Sequence, residues 1–383
     1  MIPAKARMRS LRATMAKRKI AALLVTHLPD VRYLCGFTGS NAALGITQKA
    51  ALLVTDGRYT AQAAHEVKGA EVRIAKGPAL AEACRWLRAT RAKHAYYDGE
   101  QTTVAALGAM QEALKGSPSK GSGSVKGSGS VKGSGRGDAK RFFTALDAPL
   151  IAAQRMAKDA GEIERMAAAA GLGVRLFEHI LGFLRPGIAE NAVAAELEYR
   201  ARLWGAEAMS FPTIVASGVR AAMPHGTASE AKLPRRGFVT LDFGVILNGY
   251  CSDMTRTVHL GRATPREREA YDAVLAAQEN AVAAVAAGVK AGEVDEAARS
   301  VLREAKLAEY FTHSTGHGVG LEIHESPRIA MAQQALLTRG MVITIEPGVY
   351  IPGAFGLRIE DTVVVERRGC RVLTPATKAW IEL

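Results

Sequence analysis

The sequence predicts an α+β protein of two domains joined by a tether, and three observations carry that expectation. Before residue 115 short apolar runs alternate with helical ones; residues 115–138 are a Gly/Ser/Lys repeat; and after about residue 150 the chain reads helix–helix–strands twice over. At 383 residues the chain is long enough for a sizeable core in each domain.

Taken in order, AALLVT (21–26), ALGIT (43–47) and AALLVTDGRY (50–59) read as strands separated by turn-rich stretches such as GFTGSNA. Residues 60–68, 78–93 and 102–114 read as helices from their alanine content and spacing, so residues 1–114 form a small α/β domain. The segment KGSPSKGSGSVKGSGSVKGSGRGD repeats GSGSVK with a period of six. It carries too little apolar surface to offset the entropy of ordering it, which makes 115–140 a flexible tether. Its Arg136-Gly137-Asp138 tripeptide reads as chance. The second domain, 150–383, opens with helical patterns over 160–183 and 188–204, split by Pro186-Gly187. Strands follow near 212–217, 238–246 and 251–259. Thr264-Pro265-Arg266-Glu267 then combines a capping hydroxyl, a proline at the first helical position and the glutamate of a capping box. That helix is expected to reach about Gly288; a second covers about 293–308, and the remainder is strand-like.

Composition narrows the function classes. Hydrophobic residues at 48% and charged residues at 23% are ordinary for a globular chain, and no apolar run approaches the length of a membrane span. The first twenty residues are basic but lack the apolar centre of a secretory signal; an Arg-rich, acid-free presequence is the alternative reading. Cys35, Cys84, Cys251 and Cys370 are scattered with no CxxC spacing, which argues for buried reduced thiols and a cytoplasmic location. Of the net charge of +13, the stretch 115–140 holds +5, and the other +8 is spread without an aromatic-interleaved basic patch. A solvated basic surface is expected, with no nucleic-acid face and no membrane association.

Carboxylates in strand-like surroundings supply the chemistry. In FVTLDFGVI the alternation puts Val239, Leu241 and Phe243 on one face and Asp242 on the other, and Asn248-Gly249 marks a two-residue hairpin turn. If Leu247 pairs with Tyr250, Asp242 lies opposite Thr255, with Asp253 as its diagonal neighbour roughly 7–8 Å away, a gap that one or two metal ions could fill. Alone, such a pair reads more readily as solvated. Downstream, Thr344 and Glu346 share one face of VITIEPG, and Arg358, Glu360 and Thr362 share one face of LRIEDTVVV. Acidic groups in otherwise apolar strands need compensating cations or donors, and Arg358 alone is too few. The run His313-Ser-Thr-Gly-His317-Gly-Val-Gly-Leu-Glu-Ile-His324-Glu325 is too rich in glycine for a helix and belongs on a tight loop or irregular strand. Any one of its histidines, taken alone, reads more readily as structural than as a ligand. No Gly-Lys-Ser/Thr follows to make it a phosphate loop.

Together, MPHG (223–226), LDFGVILNGYCSDMTRT (241–257), HSTGHGVGLEIHE (313–325), VITIEPGVY (342–350) and GLRIED (356–361) resemble the Xaa-Pro peptidases of the pita-bread metallopeptidase family. That family also includes methionine aminopeptidases and creatinase. VRYLCGFTGSNAAL and LLVTDGRY look like its creatinase-like amino-terminal domain. The resemblance implies metal ligands Asp242, Asp253, His317, Glu346 and Glu360, with Asp253 and Glu360 bridging two divalent ions and room for a bridging hydroxide. Oxygen-rich coordination with one imidazole suits Mn2+, with Co2+, Fe2+ or Zn2+ also able to bind. It further implies that His225 and His324 flank the substrate, that Arg358 orients Glu360 or other groups, and that Glu346 shuttles a proton. His313 stands between a substrate-side role and a structural one. The implied activity is an Xaa-Pro aminopeptidase acting on short peptides with proline second, and the implied assembly is a homodimer. The alternatives are an Xaa-Pro dipeptidase (prolidase), a non-catalytic pita-bread binding module, or a creatinase-like amidinohydrolase that dispenses with metals. The repeat tether departs from the family pattern.

Overall fold

A computed structural model describes residues 4–115 and 142–383. The chain divides into two compact units, Ile2–Gln154 and Arg155–Leu383. The expected tether lies, apart from Lys115, outside the described residues.

The first unit is built on a six-stranded mixed sheet in the order Glu71–Ala75, Ala51–Asp56, Ala42–Thr47, Ala22–Val25, Ala95–Tyr97, Phe143–Ala145. The helix Ala79–Ala89 buries Ala83, Cys84 and Leu87 against it. Gly45 is needed in the neighbouring strand because a Cβ there would sit 2.7 Å from the Trp86 ring. Two helices went unread in the sequence. Ala4–Lys17 buries Met8, Leu11 and Met15, a stripe at helical spacing hidden among basic residues. Leu28–Cys35 starts beside Pro29 and ends on Gly36, whose φ of 86° suits a left-handed cap.

The second unit repeats one theme. The helices Ala160–Leu181 and Glu190–Leu203 bring Leu172, Leu176, Ile180, Val193 and Leu197 onto Val239, Leu241, Phe243 and Val258. The helices Pro265–Ala284 and Ala291–Glu304 bring Val274, Ala277, Ala281, Val294, Ala298 and Leu302 onto Ile343, Ile345, Val363 and Val365. The capping box at Thr264 forms as its sequence indicates, with the Thr264 amide donating to Glu267 Oε2 at 2.7 Å and Pro265 at the first position. The helix stops at Ala284, short of Gly288, because Val285 turns into extended backbone and is itself fully buried.

Strands between these helix pairs carry the polar residues. Ile214–Ser217, Gly237–Phe243 and Met254–Leu260 form one antiparallel sheet. Glu325–Ile329, Gly316–Gly318, Val342–Ile345, Asp361–Val365 and Cys370–Val372 form another. LRIEDTVVV is not one strand: Phe355–Arg358 pairs with Gly348–Ile351, and Asp361–Val365 pairs with Val342–Ile345. The shared face expected for Arg358, Glu360 and Thr362 is therefore broken at Ile359–Glu360.

Candidate metal centre

The hairpin forms in the register that its turn dictates. Asn248 and Gly249 both take positive φ, 51° and 75°, which closes a tight two-residue turn between Leu247 and Tyr250. Two-residue pairing then sets Asp242 opposite Thr255. Gly244 is required on the way, because a Cβ there would meet the Ser252 carbonyl oxygen at 1.9 Å. Asp242, Asp253 and Glu360 each offer a carboxylate oxygen, and the three atoms lie within 4.8 Å of one another.

His317 and Glu346 complete the group from the other sheet. His317 sits in the three-residue strand Gly316–Gly318, with a register shift between His317 and Gly318. Its Nδ1 lies 3.0 Å from the Gly318 carbonyl oxygen, and its Nε2 faces Asp253 Oδ2 at 3.6 Å and Glu346 Oε1 at 3.4 Å. Glu346 is steadied by its amide donating to the Thr315 carbonyl at 2.8 Å and by the Thr344 hydroxyl at 3.0 Å. Glu360 accepts from the Thr255 hydroxyl at 2.7 Å. All five residues that the resemblance implies as ligands thus line one space.

Electrostatics show what this space lacks. Burial, together with the Glu360, Asp242 and Glu346 charges, pushes the Asp253 carboxyl well above the usual range. Burial and the neighbouring Glu346 and Asp242 do the same to Glu360. Glu346, losing hydration beside Asp242, is pushed up to about 7 despite Arg358. Buried Asp242 Oδ1 and Glu360 Oε1 have no hydrogen-bond partner. An anionic cluster with orphaned acceptor oxygens is the donor set that divalent cations satisfy, so the residues present fit a metal.

Arg358 is the cation the fold itself provides. It is 3% exposed and binds Asp242 Oδ2 at 2.5 Å, the Thr255 hydroxyl at 3.1 Å, the Pro224 carbonyl at 3.1 Å and the Tyr350 hydroxyl at 2.5 Å. Its ion pair is with Asp242, and its hydrogen bonds reach Glu360 through Thr255. A cavity of about 660 Å³ opens over the cluster. His225 and His324 line it exposed, and the His324 ring packs edge-on against His317 at 4.5 Å. His313 also lines it, but both its nitrogens have partners, the Ser314 carbonyl oxygen at 2.8 Å and the Tyr350 hydroxyl at 3.0 Å. Burial and Arg358 lower its pKa to about 4. Phe211, Pro212, Ile214 and Ile323 supply an apolar wall, and Arg328 a positive charge. Tyr350 and Arg328 went unread in the sequence. Tyr350 lies in a different strand and sheet from Thr344, so strand parity does not point to it, and Arg328 had no signal either.

Carboxylates that outnumber the one buried arginine among them, beneath an open cleft, are the mark of a metal-dependent hydrolase, and the helix-pair-on-strand halves are those of the pita-bread fold. The comparisons make the class specific. The profile of metallopeptidase family M24 matches residues 164–367, that of the creatinase/prolidase N-terminal domain matches residues 7–125, and the chain belongs to family M24. It is 37% identical to the uncharacterized peptidase YqhT of Bacillus subtilis over 98% of this chain and 100% of the relative. The Xaa-Pro dipeptidase from Bacillus anthracis superposes with a TM-score of 0.90 at 36% identity, covering 99% of this chain and 100% of that one. The X-Pro aminopeptidase from Thermotoga maritima does so with a TM-score of 0.82 at 34% identity, covering 96% and 99%. No helix among the described residues is long and apolar enough to cross a membrane.

Proposed function

We propose that this chain is an Xaa-Pro exopeptidase that removes the residue in front of proline from short peptides, using two divalent metal ions. The observation that carries the proposal is the convergence of Asp242, Asp253, His317, Glu346 and Glu360 on one space with unpartnered carboxylate oxygens. These five would hold the ions, and Mn2+ suits the four carboxylates and one imidazole. When bound, such ions would supply an activated water and polarise the scissile carbonyl.

The chain's own residues do the rest. His225 and His324, exposed in the cavity, donate to the carbonyl oxygen as it gains charge. Glu346 takes the proton that the attacking water gives up and delivers it to the prolyl nitrogen, which is tertiary in the peptide and must leave protonated. Arg358 fixes Asp242 and, through Thr255, Glu360. The apolar wall of Phe211, Pro212, Ile214 and Ile323 suits a proline ring. Four free cysteines support a cytoplasmic location, and the family resemblance supports a homodimer.

Aminopeptidase action on longer peptides is the first reading. One observation favours the dipeptidase reading instead: Arg328 lines the cavity, is exposed, and makes no ion pair among the described residues. A free guanidinium there suits the terminal carboxylate that a dipeptide places just beyond the scissile bond. The test is hydrolysis of Ala-Pro and Ala-Pro-Ala by metal-stripped protein with and without manganese, repeated with Arg328→Met. Metal-dependent cleavage of the tripeptide, unaffected by Arg328→Met, supports the aminopeptidase. Cleavage of Ala-Pro alone, with KM raised by the substitution, supports the dipeptidase. Folded protein that cuts neither peptide with any metal overturns both and leaves a binding module.

A further inference from the structure

Glu190 is fully buried at the start of the helix Glu190–Leu203, does not line the cavity, and touches none of the five clustered ligands through any described hydrogen bond. Its carboxylate is nevertheless fully used, and every partner lies in one segment. Oε1 accepts from the Ser217 amide at 2.8 Å and the Ser217 hydroxyl at 2.9 Å. Oε2 accepts from Arg220 Nε at 3.0 Å and the Ser229 hydroxyl at 2.7 Å. Arg220 in turn donates from Nη2 to the Thr227 carbonyl at 2.8 Å. Residues on both sides of the stretch 221–226 therefore close on one carboxylate. At the middle of that stretch stand Pro224, whose carbonyl is held by Arg358 Nη1 at 3.1 Å, and exposed His225.

Chain closure of this kind has a physical purpose. A stretch with no regular structure at its centre samples many conformations unless its ends are tied, and an exposed histidine within it inherits that freedom. Charge-assisted bonds from serine hydroxyls and a guanidinium to a buried carboxylate are among the stronger ties available. The Glu190–Arg220 pair also balances the buried charge, so the clasp needs no metal. Reactive geometry is sensitive to displacements of about 1 Å.

We propose that Glu190 is a positioning residue that acts on the reaction through His225, by clasping the two ends of the 217–229 segment. The proposal rests on His225 being a substrate-side group. The test uses the full chain loaded with manganese, comparing Glu190→Gln and the milder Ser229→Ala, each in the native and His225→Ala backgrounds. Four quantities are measured: kcat and KM on whichever of Ala-Pro and Ala-Pro-Ala is cut, manganese affinity by calorimetry, and the unfolding midpoint.

In the native background Glu190→Gln should lower kcat about tenfold and Ser229→Ala by less, with manganese affinity unchanged. In the His225→Ala background neither substitution should lower kcat further. A loss that persists undiminished when His225 is absent overturns the proposal and makes Glu190 a purely structural hub. Manganese affinity that falls in step with kcat overturns it too, since the clasp would then act on the ligands. His225→Ala enzyme of full activity removes the role of His225 itself, and the clasp's role with it. Should Glu190→Gln fail to fold, Ser229→Ala alone distinguishes these outcomes.

Discussion

Glu360 and Asp361 are neighbours in the chain, both about 1% exposed, and their surroundings are opposites. Asp361 Oδ1 accepts from Arg256 Nη2 at 2.7 Å and the Thr374 hydroxyl at 3.0 Å; Oδ2 accepts from Gln278 Nε2 at 3.0 Å and Lys378 Nζ at 2.8 Å. Burial would raise its pKa, but Arg256 and Lys378 outweigh burial and hold the carboxyl below its ordinary range. Glu360 has the Thr255 hydroxyl on one oxygen and nothing on the other, and the charges around it are chiefly carboxylates. One side of the chain is charge-balanced from within, and the other is left anionic. The first is how a fold tolerates a buried carboxylate; the second is how it prepares a place for cations it does not itself contain.

Removing a carboxylate from each side should therefore have opposite consequences. Asp253→Ala is expected to lower peptide hydrolysis by at least about 10³-fold, since it deletes one of the five groups proposed to hold the ions. The metal-free protein should meanwhile unfold at the same or a higher temperature, because a repelling charge has gone. Manganese titration, hydrolysis assays and thermal melts of the stripped protein check both halves. A variant that keeps its activity would dissolve the contrast. Asp361→Ala works in the other direction: it strands Arg256, itself 2% exposed, and should cost about 3–5 kcal/mol of stability. For a unit of this length that is roughly 2–4 °C in Tm per kcal/mol. The loss should appear with and without metal; a loss confined to the metal-loaded protein would mean that Asp361 serves the site after all.

Much of this contrast can be read from sequence, and the residues show why the rest cannot. Asn248-Gly249 specifies its own turn, so a local rule carries Asp242 to its place opposite Thr255. Thr264-Pro265-Arg266-Glu267 specifies a helix start in the same way. Arg358 is different: its ion-pair partner, Asp242, is 116 positions away on another sheet, and nothing local favours Asp242 over the nearby Glu360. Glu190 looks like any acidic residue in a first helical turn, and its role appears only once residues 217–229 fold over it. Ala4–Lys17 fails for another reason, since three buried side chains among so many basic ones give a weak apolar period. Glu71–Ala75 is an edge strand with no buried residue, and its alternation of Val72 and Ile74 with Glu71 and Arg73 is too short to stand out in the sequence. Motifs survive in sequence where neighbours in the chain are neighbours in space, and are lost where a partner comes from far away.

The smallest expected effect sharpens the comparison most, because it needs no substitution. In metal-free protein Asp253, Glu346 and Glu360 all have folded-state pKa values raised above their ordinary ones, by burial first and by one another second. A raised carboxyl binds its proton more tightly folded than unfolded. Its contribution to stability is complete below the unfolded value and is lost as pH rises through the folded one. For Glu346 that window runs from 4.5 to about 7. Asp361, held below its ordinary value, contributes oppositely, but that contribution is already complete above the ordinary carboxylate range and is lost only toward stronger acid. Burial holds His313, His317 and His324 below their ordinary pKa, which works the other way below about pH 6.5. Between pH 6.5 and pH 8 the metal-free protein should therefore lose roughly 5 °C in Tm. Added manganese should remove most of that slope, since bound cations favour the ionised carboxylates and release their protons. Melts of stripped and reloaded protein across this range check the sign. A metal-free Tm that rises toward pH 8 would show that the cluster is already compensated from within, as Asp361 is, and would leave the five residues no reason to bind a metal.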